Sequence, residues 1–86
     1  MAIERKPLKE ILNKNVVTKE GRRLGVVKDA TFETKTGELI HLIITTPTAY
    51  TNSLGLEKTK EGDILVPYNS IIAIGDFVVV SEEDLV

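Results

Sequence analysis

Cysteine and tryptophan are absent from the 86 residues, and the chain has only two Tyr, two Phe and one His. The lack of cysteine excludes disulfides, thiolate metal sites and cysteine nucleophiles. So few aromatics leave a core of Val, Ile and Leu, which suit a pleated sheet. No apolar run approaches the ~20 residues that a membrane-spanning helix needs. Met1–Glu10 carries charges but no apolar stretch of signal-peptide type. A cytoplasmic protein without direct membrane insertion is therefore expected. Basic charge is also scarce: 11 Lys and Arg stand against 13 Asp and Glu, a net charge of −2. Arg5-Lys6 and Arg22-Arg23 are the dense basic spots, with acids close to both. Nucleic-acid binders gather cations on one face, so no nucleic-acid partner is expected. The chain has no internal repeat and no low-complexity segment.

What is present is a series of short apolar runs punctuated by turn residues. A chain this short buries about 60–65% of the surface its unfolded form exposes, so it makes one domain, 1–86, of modest stability. Residues 1–6 read as a flexible start. Pro7 suits the first position of a helix. Leu8, Ile11 and Leu12 then fall on one face of a one- to two-turn helix that Asn13 or Asn15 ends. Val16-Val17 opens a strand, and Lys19-Glu20-Gly21-Arg22 is a turn with Gly21 supplying the positive φ. A second strand is expected over about Arg23–Phe32. Leu24, Val26, Ala30 and Phe32 share a parity that Val27 and Lys28 break, and a bulge near Gly25–Lys28 would re-phase it. Thr34–Gly37 is a longer hairpin turn leading into a strand over Glu38–Thr46. Its apolar residues lie on both faces, so both must be covered.

Residues 47–62 read as a long loop, and loops of that length usually have a function or are disordered. Strands follow at Asp63–Pro67, Ile71–Ile74 and Phe77–Val80, with a turn at Asn69-Ser70 and a tight hairpin at Gly75-Asp76. Ser81–Asp84 resembles a helix N-cap with acids in its first turn, within an acidic tail over 81–86.

Little here points to catalysis. His41 lies alone in an apolar strand, and a catalytic histidine needs an oriented partner. Asp29, Asp63 and Asp76 have no metal-ligand spacing, and Asp76 follows a glycine in a turn, where capping a backbone N–H is its ordinary role. Gly21 to Gly25 could suggest a phosphate loop, but a strand, not a helix, follows it. No enzyme activity, cofactor or metal is expected.

The segments VVTKEGRRLGVVKDATFETKTGEL and ILVPYNSIIAIGDFVVV together resemble the PRC-barrel domain. The resemblance spans about Leu8 to Val80. It rests on Gly21 and Gly25 around a turn, Lys28-Asp29 on the second strand, Thr36-Gly37 in the hairpin, Val66-Pro67-Tyr68 at a strand end, and Ile74-Gly75-Asp76. It implies an all-β fold: a small six-stranded β-barrel with a short N-terminal helical turn. Members of the family include the cytoplasmic domain of the photosynthetic reaction-centre H subunit and the C-terminal domain of a ribosome-maturation factor. Small stand-alone archaeal members are linked to cell division through a membrane adaptor of the FtsZ ring. This chain has neither the transmembrane helix of the first nor the additional N-terminal domain of the second, and so looks like the stand-alone kind.

The resemblance thus implies a non-enzymatic protein-docking scaffold, with cell division as its leading context and ribosome assembly or RNA processing as the alternative. Two surfaces are candidates for the partner. Leu39, His41, Ile43, Phe77 and Val79 supply more apolar strand surface than one small barrel covers. They predict a homodimer, or a heterodimer with a paralogue, unless the helix and the long loop cover them. Tyr50, Leu54 and Leu56 in the 47–62 loop are either partner anchors or residues that fold back onto the barrel.

Overall fold

In the computed structural model the chain is described over residues 8–85; the expected flexible start at 1–6, Pro7 and the last residue of the tail lie outside the described residues. Leu8–Ile11 forms α1, a single turn. Ile11 is buried, and Leu12 packs beside it. Asn13 ends the helix at φ 68°, a left-handed conformation that Asn tolerates better than most residues. Its N–H then donates to the Val27 carbonyl at 2.8 Å.

Six strands follow: β1 Asn15–Thr18, β2 Arg23–Phe32, β3 Leu39–Thr45, β4 Ile64–Pro67, β5 Ile71–Ile74 and β6 Val78–Val80. A second helix, α2, occupies Ala49–Ser53 inside what the sequence presents as a loop. Turns of 3-10 helix cover Tyr68–Ser70 and Glu82–Asp84. The Gly21 and Gly37 turns form as expected, with φ of 90° and 75°. Phe77 falls in the bend before β6 and not in the strand.

The strands make one sheet in the order β4-β3-β2-β1-β6-β5. All neighbours are antiparallel except β1 and β6, which pair in parallel from Val16–Val78 to Thr18–Val80. The inner face is mostly aliphatic: Val16, Leu24, Val27, Leu42, Ile44, Ile64, Val66, Val78 and Val80 are fully buried, with Thr18 beside them on β1.

Two bulges explain the broken parity of β2. Val16 faces Gly25 and Val17 faces Arg23, so Leu24 is an extra residue. Val27 faces Ile44 and Asp29 faces Ile43, so Lys28 is another. Leu24 and Val27, three positions apart, therefore both turn inward, while Val26 turns outward and Phe32 is left exposed. Bulges sharpen the local twist, and the sheet curls accordingly.

Of the expected six-stranded barrel the structure shows the six strands in one curled sheet: β4 and β5, at the two ends of the order, share no ladder. The 3-10 turn Tyr68–Ser70 joins them directly. At 3.8 Å per Cα step, Pro67 and Ile71 lie within about 15 Å of each other. The ends of the sheet are thus brought near one another by the chain itself, not by hydrogen bonds between strands.

Candidate functional site

Alternation along β3 sends Leu42 and Ile44 into the core and leaves His41 and Ile43 half-buried on the outward face, while the register shift at Ile40 lets the predicted interface residue Leu39 pack against the core cluster instead. Across the β4 ladder His41 faces Pro67 and Ile43 faces Leu65. On the other side His41 faces Thr31, and its Nδ1 lies 3.2 Å from the Thr31 Oγ1. Nε2 is left for other contacts. Among the described residues that threonine is the side chain within hydrogen-bond distance of the ring. A shallow cleft of about 300 Å³ opens beside it, walled by His41, Leu56, Glu57, Leu65, Pro67 and Leu85.

Val79 lies on the outward side of β6, opposite Val17 of β1 and Ala73 of β5. Phe77 is 51% exposed in the preceding bend. The structure therefore joins Leu39, His41 and Ile43 on one strand, and Phe77 with Val79 near another. It does not merge the two groups. β2 and β1 lie between them, which at about 4.8 Å per strand is a separation near 14 Å. The intervening outward positions include a polar pair, Arg23 Nε donating to Asn15 Oδ1 at 2.8 Å. The five residues predicted as one interface fall into two groups.

Tyr50, Leu54 and Leu56 are each half-buried and lean on the core cluster. α2 holds the first two in place. Thr48 caps the helix, its Oγ1 accepting from Thr51 N–H at 3.3 Å and donating to the Arg23 carbonyl at 2.8 Å. The buried Thr51 Oγ1 donates to the Leu24 carbonyl at 2.6 Å, and Thr48 N–H donates to that same carbonyl at 3.2 Å. The Arg22 guanidinium sits 4.6 Å from the centre of the Tyr50 ring, within cation–π range.

The charged groups are braces. Lys28, the bulge residue, reaches over β3 to Asp63 at 2.7 Å. The Lys28 ammonium holds the Asp63 carboxyl below its ordinary range, chiefly through that hydrogen bond. Lys19 pairs with Glu83 at 2.9 Å, which likewise lowers the Glu83 carboxyl. Glu82 is pushed up, first by its contact with the Glu20 carboxylate. Asp29 Oδ1 accepts from Ala30 N–H at 2.8 Å, anchoring the strand just past the bulge. Among the described residues no three His, Cys, Asp or Glu gather as a metal site, and no helix is long and apolar enough to cross a membrane.

Exposed apolar side chains were only partly foreseen. Phe32, Ile40, Ile72 and Phe77 are the large ones at the surface, between 41% and 51% exposed. Ile72 had a legible signal: it belongs to Ile71–Ile74, a run apolar on both faces.

The comparisons with known proteins agree with this architecture. An uncharacterised protein of the archaeon Methanocaldococcus jannaschii is 31% identical over 84 residues, covering 96% of this chain and 89% of that protein. A family model, the PRC-barrel domain, matches residues 4–85, a span that contains every strand. The chain belongs to the PRC-barrel domain family.

Proposed function

We propose that this chain is a non-enzymatic protein-docking module, a cytoplasmic scaffold that presents apolar sheet surface to a protein partner. The observation that carries the proposal is the set of large apolar side chains left at the surface, Phe32, Ile40, Ile72 and Phe77. Apolar residues with convergent shape and few charges are what partner sites use. The outward patches at His41–Ile43 and Phe77–Val79 add to that surface, as do the exposed parts of Tyr50, Leu54 and Leu56. Reaction chemistry would call instead for convergent polar groups, and His41 is held by a threonine alone among the described residues.

Within the family the leading context is archaeal-type cell division, with the chain contacting the membrane adaptor of the FtsZ ring as a homodimer or as a heterodimer with a paralogue. Affinity capture of the tagged chain from its native cell, followed by mass spectrometry, tests the role. Enrichment of division-ring proteins supports it. Ribosomal proteins in their place turn the assignment to assembly, and recovery of no specific partner overturns docking altogether.

A further inference from the structure

The two ends of the sheet are finished differently. β4 is covered: the segment after α2 runs beside it, Leu65 N–H donating to the Glu57 carbonyl at 2.9 Å and Lys58 bridging Ile64. Charged residues crowd this end, from Glu57 and Lys58 to Glu61 and Asp63. Among the described residues β5 has β6 for its one strand neighbour. Its residues are Ile71, Ile72, Ala73 and Ile74, without a charge, and the hairpin that follows adds only Asp76. Natural sheets blunt their edges with Lys, Pro, a covering segment or a bulge. Among the described residues β5 has of these the bulge alone: Ile71 faces Val80 and Ala73 faces Val79, so Ile72 has no partner on β6. Ile72 and Phe77 are each 51% exposed there.

We infer that β5 is a self-pairing edge, which a second copy of this chain occupies in antiparallel register about a two-fold axis. This rests on the docking proposal and names its first partner. In an antiparallel pair about a two-fold axis residue i faces residue j and j faces i, so within a four-residue edge any charge would lie close to its own copy. β5 is free of charge where β4 is not. An acidic or basic peptide would find nothing on β5 to pair with. An antiparallel partner of the same Ile-Ile-Ala-Ile composition meets apolar side chains at every facing position. A four-residue edge with two exposed side chains falls short of the roughly 800 Å² per partner of a standard interface. The dimer is accordingly weak, forming in the micromolar range. The bulge at Ile72 raises the local twist and holds the contact to one short pair of strands.

Sedimentation velocity from micromolar to millimolar concentration tests the inference, together with hydrogen exchange at the two extremes. The expected result is a reversible dimer whose extra amide protection at high concentration falls on residues 72–74. Ile72→Lys is exposed enough to leave the fold intact, as its circular dichroism will show. It should weaken the dimer by more than about tenfold, because like charges then face each other across the axis. Thr34→Lys, in the exposed turn between β2 and β3, should leave it unchanged. A chain that stays monomeric throughout overturns the inference. So does a dimer that Ile72→Lys spares. Capture of the cellular partner by monomeric Ile72→Lys would leave the docking proposal standing on its own, so the two can fail separately.

Discussion

Gly25→Ala should be the most damaging single methyl that can be added to this chain. A Cβ at Gly25 would collide with the Ile44 side chain and come within 2.6 Å of the Thr45 carbonyl oxygen. Neither atom can yield easily. Ile44 is fully buried, and the β3 backbone is laddered on both sides, to β2 and to β4. Relief requires β2 and β3 to part beside Leu24, whose carbonyl holds α2 through two hydrogen bonds. Overpacking a core costs about 1–3 kcal/mol, and backbone involvement puts this case at the upper end.

An 86-residue domain has a total stability of about 4–13 kcal/mol. A loss near 3 kcal/mol lowers the thermal midpoint by roughly 10–20 °C and the urea midpoint by about 2–3 M. Gly21→Ala is the matched control. At φ 90° it strains the backbone, but nothing stands within 4 Å of the new carbon, so it should cost about 1 kcal/mol. Urea titration followed by circular dichroism on the wild type and both variants measures the difference. If Gly25→Ala costs no more than Gly21→Ala, the close approach of β2 to β3 is not what makes glycine necessary there.

The other predictions concern single groups. Thr51→Val keeps the shape but removes the buried hydroxyl that donates to the Leu24 carbonyl at 2.6 Å. It should cost about 1–2 kcal/mol and raise amide exchange in α2 before the rest of the chain. Leu42→Ala, at a fully buried position in the middle of β3, should cost about 2–5 kcal/mol in the same urea assay, a large part of the total. Two carboxyls should shift the acid limb in opposite senses. Asp63 is held below its ordinary range by Lys28, so its stabilising contribution is present above the unfolded-state value and lost as pH falls through the folded one. Asp63→Asn should be less stable at neutral pH and show a flatter decline below about pH 4. Glu82 is pushed up by Glu20, so its ionisation opposes folding above the unfolded-state value. Glu82→Gln should be the more stable variant at neutral pH and lose that advantage in acid, as thermal melts across the pH range will show.

The β-rich fold, its turns and its family were legible because each depends on local chemistry. Gly21 and Gly37 occupy positions where the chain must turn with positive φ. The apolar runs at Leu39–Thr45 and Ile64–Pro67 are long enough to be recognised as strands. The family marks stand in order along the chain. What stayed hidden depends on neighbours that are distant in sequence. The broken parity of β2 announces a bulge near Gly25–Lys28, which Lys28 supplies, but the second one, at Leu24, depends on how β1 meets β2. α2 is five residues long, too short for its spacing to stand out or for it to persist alone. Its stability comes from Thr48 and Thr51 reaching β2. The covering of β4 by Glu57 and Lys58 is equally a tertiary fact. It separates the protected edge from the open one. The five predicted interface residues were grouped by apolar character along the strands. The strand order, which places β2 and β1 between them, could not be read from that character.

The parallel pairing of β1 with β6 has a consequence for how the chain reaches this structure. Val16 meets Val78 across nearly the whole length of the polypeptide, whereas β2–β3 and β5–β6 close through short hairpins. Loop closure on that scale must precede any gain from the contact, and non-local pairings of this kind slow folding. The two hairpins should therefore form early and the β1–β6 zipper last. Until it closes, the valine strand β6, paired on one side with the isoleucine-rich β5, has its other edge open. That interval, and not the finished protein, is when aggregation is most dangerous, and mutations in Val16 or Val78 should lengthen it.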